Sequence, residues 1–155
     1  MTTPKTPEMP ETVPVKGLQC GDCAIGRASG AGAGQFCPFI VRQHPRGAFL
    51  CNAGAPADYV WLIKEGVVGL GRSPGDVDQL EAIRLPGGYI GLECLVRDSY
   101  LCTARALTRV TLCGATCEGF QRWLRQTDER VGVVLEAALS DPLLVEMVQL
   151  QGGLP

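Results

Sequence analysis

Arg46-Gly47-Ala48-Phe49-Leu50-Cys51-Asn52-Ala53-Gly54-Ala55-Pro56-Ala57-Asp58-Tyr59-Val60-Trp61-Leu62-Ile63-Lys64-Glu65-Gly66 contains two short strand-forming runs, each bounded by turn residues. Tyr59 to Ile63 is the strongest strand signal in the chain, a run of aromatic and aliphatic residues stopped at Lys64-Glu65-Gly66. Val67 to Gly71 follows across what reads as a hairpin. Outward from this stretch the pattern repeats: Pro38 to Gln43, Ala48 to Cys51, Leu80 to Leu85, Tyr100 to Leu107 and Arg109 to Cys113 are short β-rich runs. Turn signals between them, such as Ser73-Pro74-Gly75-Asp76 and Pro86-Gly87-Gly88, recur about every 8–12 residues, the spacing of a sandwich or barrel. Gly47, Gly54, Gly66, Gly87, Gly88 and Gly91 fall at strand ends, where chain reversal favours glycine.

Helical periodicity is confined to the C-terminal end. Phe120, Trp123 and Leu124 form an i, i+3, i+4 stripe on a short helix over 118–126, and a second helix is expected over 129–139. Ser140-Asp141-Pro142 offers an N-cap followed by proline at the first helical position, opening a third helix that stops at Gly152-Gly153. Leu143, Met147 and Leu150 share one face of it, which needs a partner surface: its own domain or, as we expect, the same helix of a second subunit.

The N-terminal residues carry a different composition. Pro4, Pro7, Pro10 and Pro14 block helix and sheet, no apolar signal segment is present, and residues 26–35 are a Gly/Ala-rich linker. The glycines there have neither a preceding strand nor a following Lys-Ser/Thr, so they lack the context of a phosphate loop. The expected organisation is a flexible arm over 1–36 carrying a Cys-x-x-Cys pair, a β domain over 37–126 and C-terminal helices over 127–155.

Length and composition bound the function. At 155 residues one domain is expected, and a hydrophobic content of 46% with 19% charged residues excludes wholesale disorder. A net charge of −2 supplies no general field for nucleic-acid phosphates. No run of 18 apolar residues occurs, and without a signal segment a cytoplasmic location is expected. Eight cysteines stand against a single histidine. In a reducing compartment, thiols at short spacing serve metals or redox chemistry more often than structural bridges. No general base lies near a nucleophile in sequence, so an enzyme, such as a thiol oxidoreductase, is not expected.

The order and spacing of these motifs resemble the sensor domain of the Crp/Fnr transcription regulators. Arg46 to Leu50, Ala53 to Asp58 and Val60 to Gly66 are similar to that family's Gly-x-x-Leu, Gly-[Asp/Glu] and aromatic-x-Ile-x-x-Gly succession. Pro86-Gly87-Gly88-Tyr89-Ile90-Gly91 resembles its Pro-Gly-Asp-x-[Ile/Val]-Gly turn, and Ala104-Arg105-Ala106-Leu107 the strand that follows. The resemblance implies a mainly β fold with C-terminal helices: a double-stranded β-roll, a jelly-roll of the cyclic-nucleotide-binding class, followed by a dimerisation helix.

It also places an effector pocket at Gly91, Glu93, Cys102 and Thr103. Cyclic-nucleotide binders of the family carry an arginine eleven residues after the glycine, and that position here is Cys102. A thiol cannot replace the guanidinium fork that clamps a phosphate. Haem sensing needs an axial donor, and the lone His44 beside Pro45 is expected to be a solvated turn residue. The oxygen-sensing branch holds a [4Fe–4S] cluster on three N-terminal cysteines and one in the β-roll. Carried over, its ligands are Cys20, Cys23, Cys37 and Cys113. Cys113 lies six residues after Leu107, where the resemblance puts the distal ligand. The third ligand departs from the pattern: the usual position is Ser29, and Cys37 stands fourteen residues beyond Cys23. A longer loop is inexpensive, since doubling its length costs only about 0.6 kcal/mol.

Four thiols serve structural zinc equally well, and a redox dithiol at Cys20 and Cys23, or at Cys113 and Cys117, is a further alternative, in either case within an interaction module. Cys51, Cys94 and Cys102 sit in apolar contexts and are expected as small buried hydrophobes. The expected molecule is a homodimeric, redox- or oxygen-responsive sensor. Family members continue into a helix-turn-helix where this sequence stops, so DNA binding is not expected from this chain alone.

Overall fold

The computed structural model describes Cys23, Ile25, Cys37, Phe39 to Pro142, Val145 and Glu146. Cys20, Leu143, Met147 and Leu150, with the Gly/Ala-rich linker, lie outside the described residues.

Eight antiparallel strands form two four-stranded sheets: β1 (Ile40–His44), β2 (Phe49–Cys51), β3 (Tyr59–Glu65), β4 (Val68–Gly71), β5 (Ala82–Arg84), β6 (Tyr89–Ile90), β7 (Thr103–Ala106) and β8 (Val110–Thr116). One sheet has the order β1-β8-β3-β6 and the other β2-β7-β4-β5. This is the β-roll expected from the sequence. Ile63, Val68, Ala104, Leu112 and Val60 are fully shielded in the core, in keeping with the continuous apolar run of β3.

The hairpin expected at Lys64-Glu65-Gly66 is not formed. β3 pairs with β6 and β8, whereas β4 pairs with β5 and β7, so the turn passes the chain from one sheet to the other. The error is physical in origin, because a tight turn between two apolar runs looks the same whether the strands then pair or diverge. Tyr89 and Ile90, read as part of a turn, form edge strand β6.

Two helices follow the strands. Helix α1 (Cys117–Leu124) starts where the Thr116 side chain accepts a hydrogen bond from Gly119 N (3.0 Å), and buries Cys117, Phe120 and Trp123. The Phe120 ring packs on Phe39 (centroids 5.4 Å) and stacks on Trp123 (5.8 Å). Helix α2 (Asp128–Leu139) is capped by Thr127, which accepts from Arg130 N (3.2 Å). The Arg130 guanidinium lies over Trp123 and donates to the Trp123 carbonyl and to Gln126 Oε1, tying α2 back onto α1. Val131, Leu135 and Leu139 form an exposed apolar stripe on α2. No helix among the described residues is long and apolar enough to cross a membrane.

Candidate functional site

Backbone geometry builds the region from β6 to β7. Gly91 has φ 88° and precedes a 3-10 turn over Leu92–Leu95; a Cβ at this position would come within 2.6 Å of the Tyr59 carbonyl oxygen. Only glycine fits both the left-handed conformation and that close approach. The turn buries Glu93, whose Oε1 accepts from Leu101 N at 3.2 Å. Burial pushes the Glu93 carboxyl above its ordinary range, while its own amide and that of Leu101 oppose the rise.

Gly91, Glu93 and Cys102 line one small cavity with Cys51, Tyr89, Arg84 and Asp141. Thr103 does not join them. Its hydroxyl is engaged elsewhere, donating to Ser73 O (2.7 Å) and accepting from Ala53 N (3.0 Å). The Cys102 thiol is pushed up to about 12 by burial and by Glu93, so it stays neutral and offers no charge to an anion. Arg84 supplies a cation from β5, but Asp141 engages it with two contacts, 2.6 and 2.5 Å from Nη2. The cavity encloses about 30 Å³, room for one water. Small-molecule pockets are roughly ten times larger.

Asp141, expected as a residue of an N-cap, therefore has a second task that sequence spacing did not reveal. Its carbonyl does accept from Val145 N (3.1 Å), in keeping with a helical turn there, while its side chain closes the cavity. Ser140 ends α2, its hydroxyl donating to Glu136 O.

The thiols fall into three groups. Cys51 and Cys102 are buried, as expected, and Cys51 Sγ donates to the Cys102 carbonyl at 3.5 Å. Cys94, expected as a buried hydrophobe, is instead disulfide-bonded to Cys117. That excludes the Cys113–Cys117 pairing here: Cys117 opens α1 beside the turn carrying Cys94, while Cys113 lies within β8. The third group surrounds the first sheet. Val41, Cys113, Leu62 and Tyr89 are register partners across four strands and so share one face. Tyr89 is pushed up to about 12, first by burial and then by the thiols of Cys23 and Cys37, which are close enough to act on it electrostatically. Cys23 and Cys37 are half-buried against the core. Among the described residues no three His, Cys, Asp or Glu side chains converge as a metal site. Cys20 is not among them.

His44 corrects another expectation. It ends β1 in the interior, 4% exposed, with Nδ1 lacking a hydrogen-bond partner and a pKa lowered by burial and by Arg42. The following proline suggested a solvated turn, but the strand runs one residue further than its apolar pattern.

Residues 41–127, more than half of the chain, match the cyclic nucleotide-binding domain family. The chain belongs to this family. No curated protein matches it in sequence. Among solved structures it is similar to the N-terminal domain of a transcriptional regulator from Streptomyces coelicolor A3(2), with 24% identity, a TM-score of 0.58, and 77% of this chain and 88% of that one covered. It is also similar to the catabolite activator protein of Thermus thermophilus (22% identity, TM-score 0.59, 73% of this chain and 54% of that one). FixK2 from Bradyrhizobium japonicum matches over 72% of this chain and 54% of its own, with 18% identity and a TM-score of 0.56. The chain spans about half the length of the last two, and at these identities the likeness is one of fold. The region expected as an effector pocket, at Gly91, Glu93 and Cys102, encloses only the small cavity described above.

Proposed function

We propose that this chain is the effector-sensing, dimerising domain of a Crp/Fnr-type transcription regulator, and that it responds to oxygen or redox state through an iron–sulfur cluster on Cys20, Cys23, Cys37 and Cys113. The observation that carries the reading is the juxtaposition at Tyr89. Two thiols from the N-terminal part of the chain are close enough to act electrostatically on a ring whose register partners across the sheet lead to Cys113, two strands and about 10 Å away. The donors are of the right kind for iron and sulfide. Bound there, such a cluster would supply oxidant-labile iron–thiolate bonds. The chain's own contribution would be to bring the N-terminal thiols to the sheet face that carries Cys113, which among the described residues they do not yet join as a ligand set, and to connect that face to its C-terminal segment. Tyr89 serves that connection, since it also lines the small cavity closed by Arg84 and Asp141.

Dimerisation draws support from α2. Val131, Leu135 and Leu139 repeat every four residues and are exposed, and in sequence the spacing carries on to Leu143 and Met147. Met147→Glu is expected to give a monomer by light scattering; an unchanged mass removes the pairing.

Anaerobic purification with iron, sulfide and zinc analysis tests the cluster. Brown protein that bleaches in air and loses its iron in Cys23→Ser supports it, and colourless protein with stoichiometric zinc overturns it. A thiol–disulfide sensor is the second reading, favoured by the Cys94–Cys117 bond, which joins the pocket turn to α1. It predicts that one mild reductant-sensitive cystine, and no iron, governs the oligomeric state.

A further inference from the structure

A second cavity, of about 720 Å³, opens on the opposite face of the β1-β8-β3-β6 sheet, where helix α1 leans over it. Register fixes that face: Ile40, Gly114, Trp61 and Ile90 form one row, and Arg42 with Leu112 the next. The Trp61 indole lies directly over Gly114, where a Cβ would come within 2.9 Å of its ring, so the missing side chain lets the ring lie flat on the strand. Tyr59 stacks beside it (6.1 Å, 29°), and Trp123 closes the helix side. The volume falls in the range of ligand pockets, which run from roughly 300 to 1,000 Å³.

The two charged residues among those described in the lining of this cavity are both cationic. Arg42 and Arg122 line it with His44, and among the described residues no carboxylate does. Two buried nitrogens, Arg42 Nε and His44 Nδ1, have no hydrogen-bond partner. Unpartnered buried polar atoms are costly and rare in folded proteins, and a guanidinium with its Nε unused presents half of the fork that grips a carboxylate.

We propose that this cavity binds a small aromatic carboxylate, its ring against Trp61 and Tyr59 and its carboxylate on Arg42. Arg122 adds a second cation from the exposed side of α1. His44, held neutral by burial and by Arg42, adds polar capacity without charge. The site is independent of the thiols, which gather around the row containing Tyr89 on the other face.

The chain has two tryptophans and both line this cavity, so intrinsic fluorescence reports on it alone. Full-length protein is titrated with 4-nitrobenzoate, a quencher of indole emission, and with its neutral methyl ester, with calorimetry in parallel. Saturable quenching is expected with the acid, roughly tenfold weaker with the ester and with Arg42→Met, the worth of one charge-assisted contact. Arg122→Ala, at an exposed position that leaves folding untouched, is expected to weaken the acid about threefold by removing the outer cation. Non-saturating quenching up to millimolar acid overturns the proposal, as does equal affinity for acid and ester. An acidic protein partner captured by the same surface, with no small acid bound, overturns it equally.

Discussion

The cavity behind Glu93 encloses about 30 Å³ and the cavity over Trp61 about 720 Å³, although both draw on the same four-stranded sheet. The first contains two carboxylates, two neutral thiols and one arginine already committed to Asp141. Among the described residues, the second contains cations without carboxylates and two buried nitrogens without partners. A pocket's place in a fold is thus separable from its fitness for a ligand. Where the sequence suggested an effector pocket, Arg84 and Asp141 satisfy each other and little space is left. On the other face a bare backbone at Gly114 leaves space, and Arg42 Nε has no hydrogen-bond partner.

The largest effect comes from behind the wall of the open cavity, where Phe120 supports Trp123. Phe120 is fully buried between Phe39 and Trp123, and Phe120→Ala is expected to cost about 4 kcal/mol in denaturant unfolding. A cost under about 1 kcal/mol would mean that α1 is not seated on the sheet and the cavity has no fixed wall. Next is the cystine beside the closed cavity. It spans 23 residues, and Cys94→Ser with Cys117→Ser is expected to lose about 3 kcal/mol relative to oxidised protein, with no change relative to reduced protein. Third, Asp141→Ala leaves Arg84 uncompensated. The pair is less than one-fifth exposed, which puts the loss between a surface and a buried ion pair, at about 2 kcal/mol. If the same substitution lets a small anion protect the protein against heat, the closed pocket is one that its own C-terminal segment fills.

Local chemistry was legible in the sequence, and long-range partnership was not. Short strands of a sandwich or barrel and both described helices follow from apolar runs, turns and helical periodicity, and the resemblance narrowed the strands to a β-roll. Cys113 was singled out by the resemblance alone; its register partnership with Leu62, and through Leu62 with Tyr89, is set by strand pairing that no local pattern encodes. In the same way, Arg84 meets Asp141 across 57 residues and Cys94 meets Cys117 across 23, pairings that no periodicity encodes. The hairpin at Gly66 failed for the same reason, since which sheet a strand joins is decided by packing beyond the turn. His44 was misjudged because its neighbour Pro45 is a stronger local signal than the strand that buries it.

The smallest expected effect sharpens the comparison by pH. Burial raises the Glu93 carboxyl, with the neighbouring amides and Arg84 partly opposing the rise. At a pH below the ordinary carboxylate range, about 4, the group is protonated in both folded and unfolded chains and costs nothing. As pH rises, the unfolded chain releases its proton first and the folded chain holds it, so stability falls until the raised value is passed and then stays lower. Glu93→Gln keeps an oxygen for Leu101 N and does not titrate. The variant is therefore expected to match the native chain near pH 4 and to be the more stable of the two at pH 7, in paired denaturation curves. A gap that stays constant with pH would mean that the carboxyl ionises freely in the folded protein, and that the closed cavity is wetter than its 30 Å³ allows.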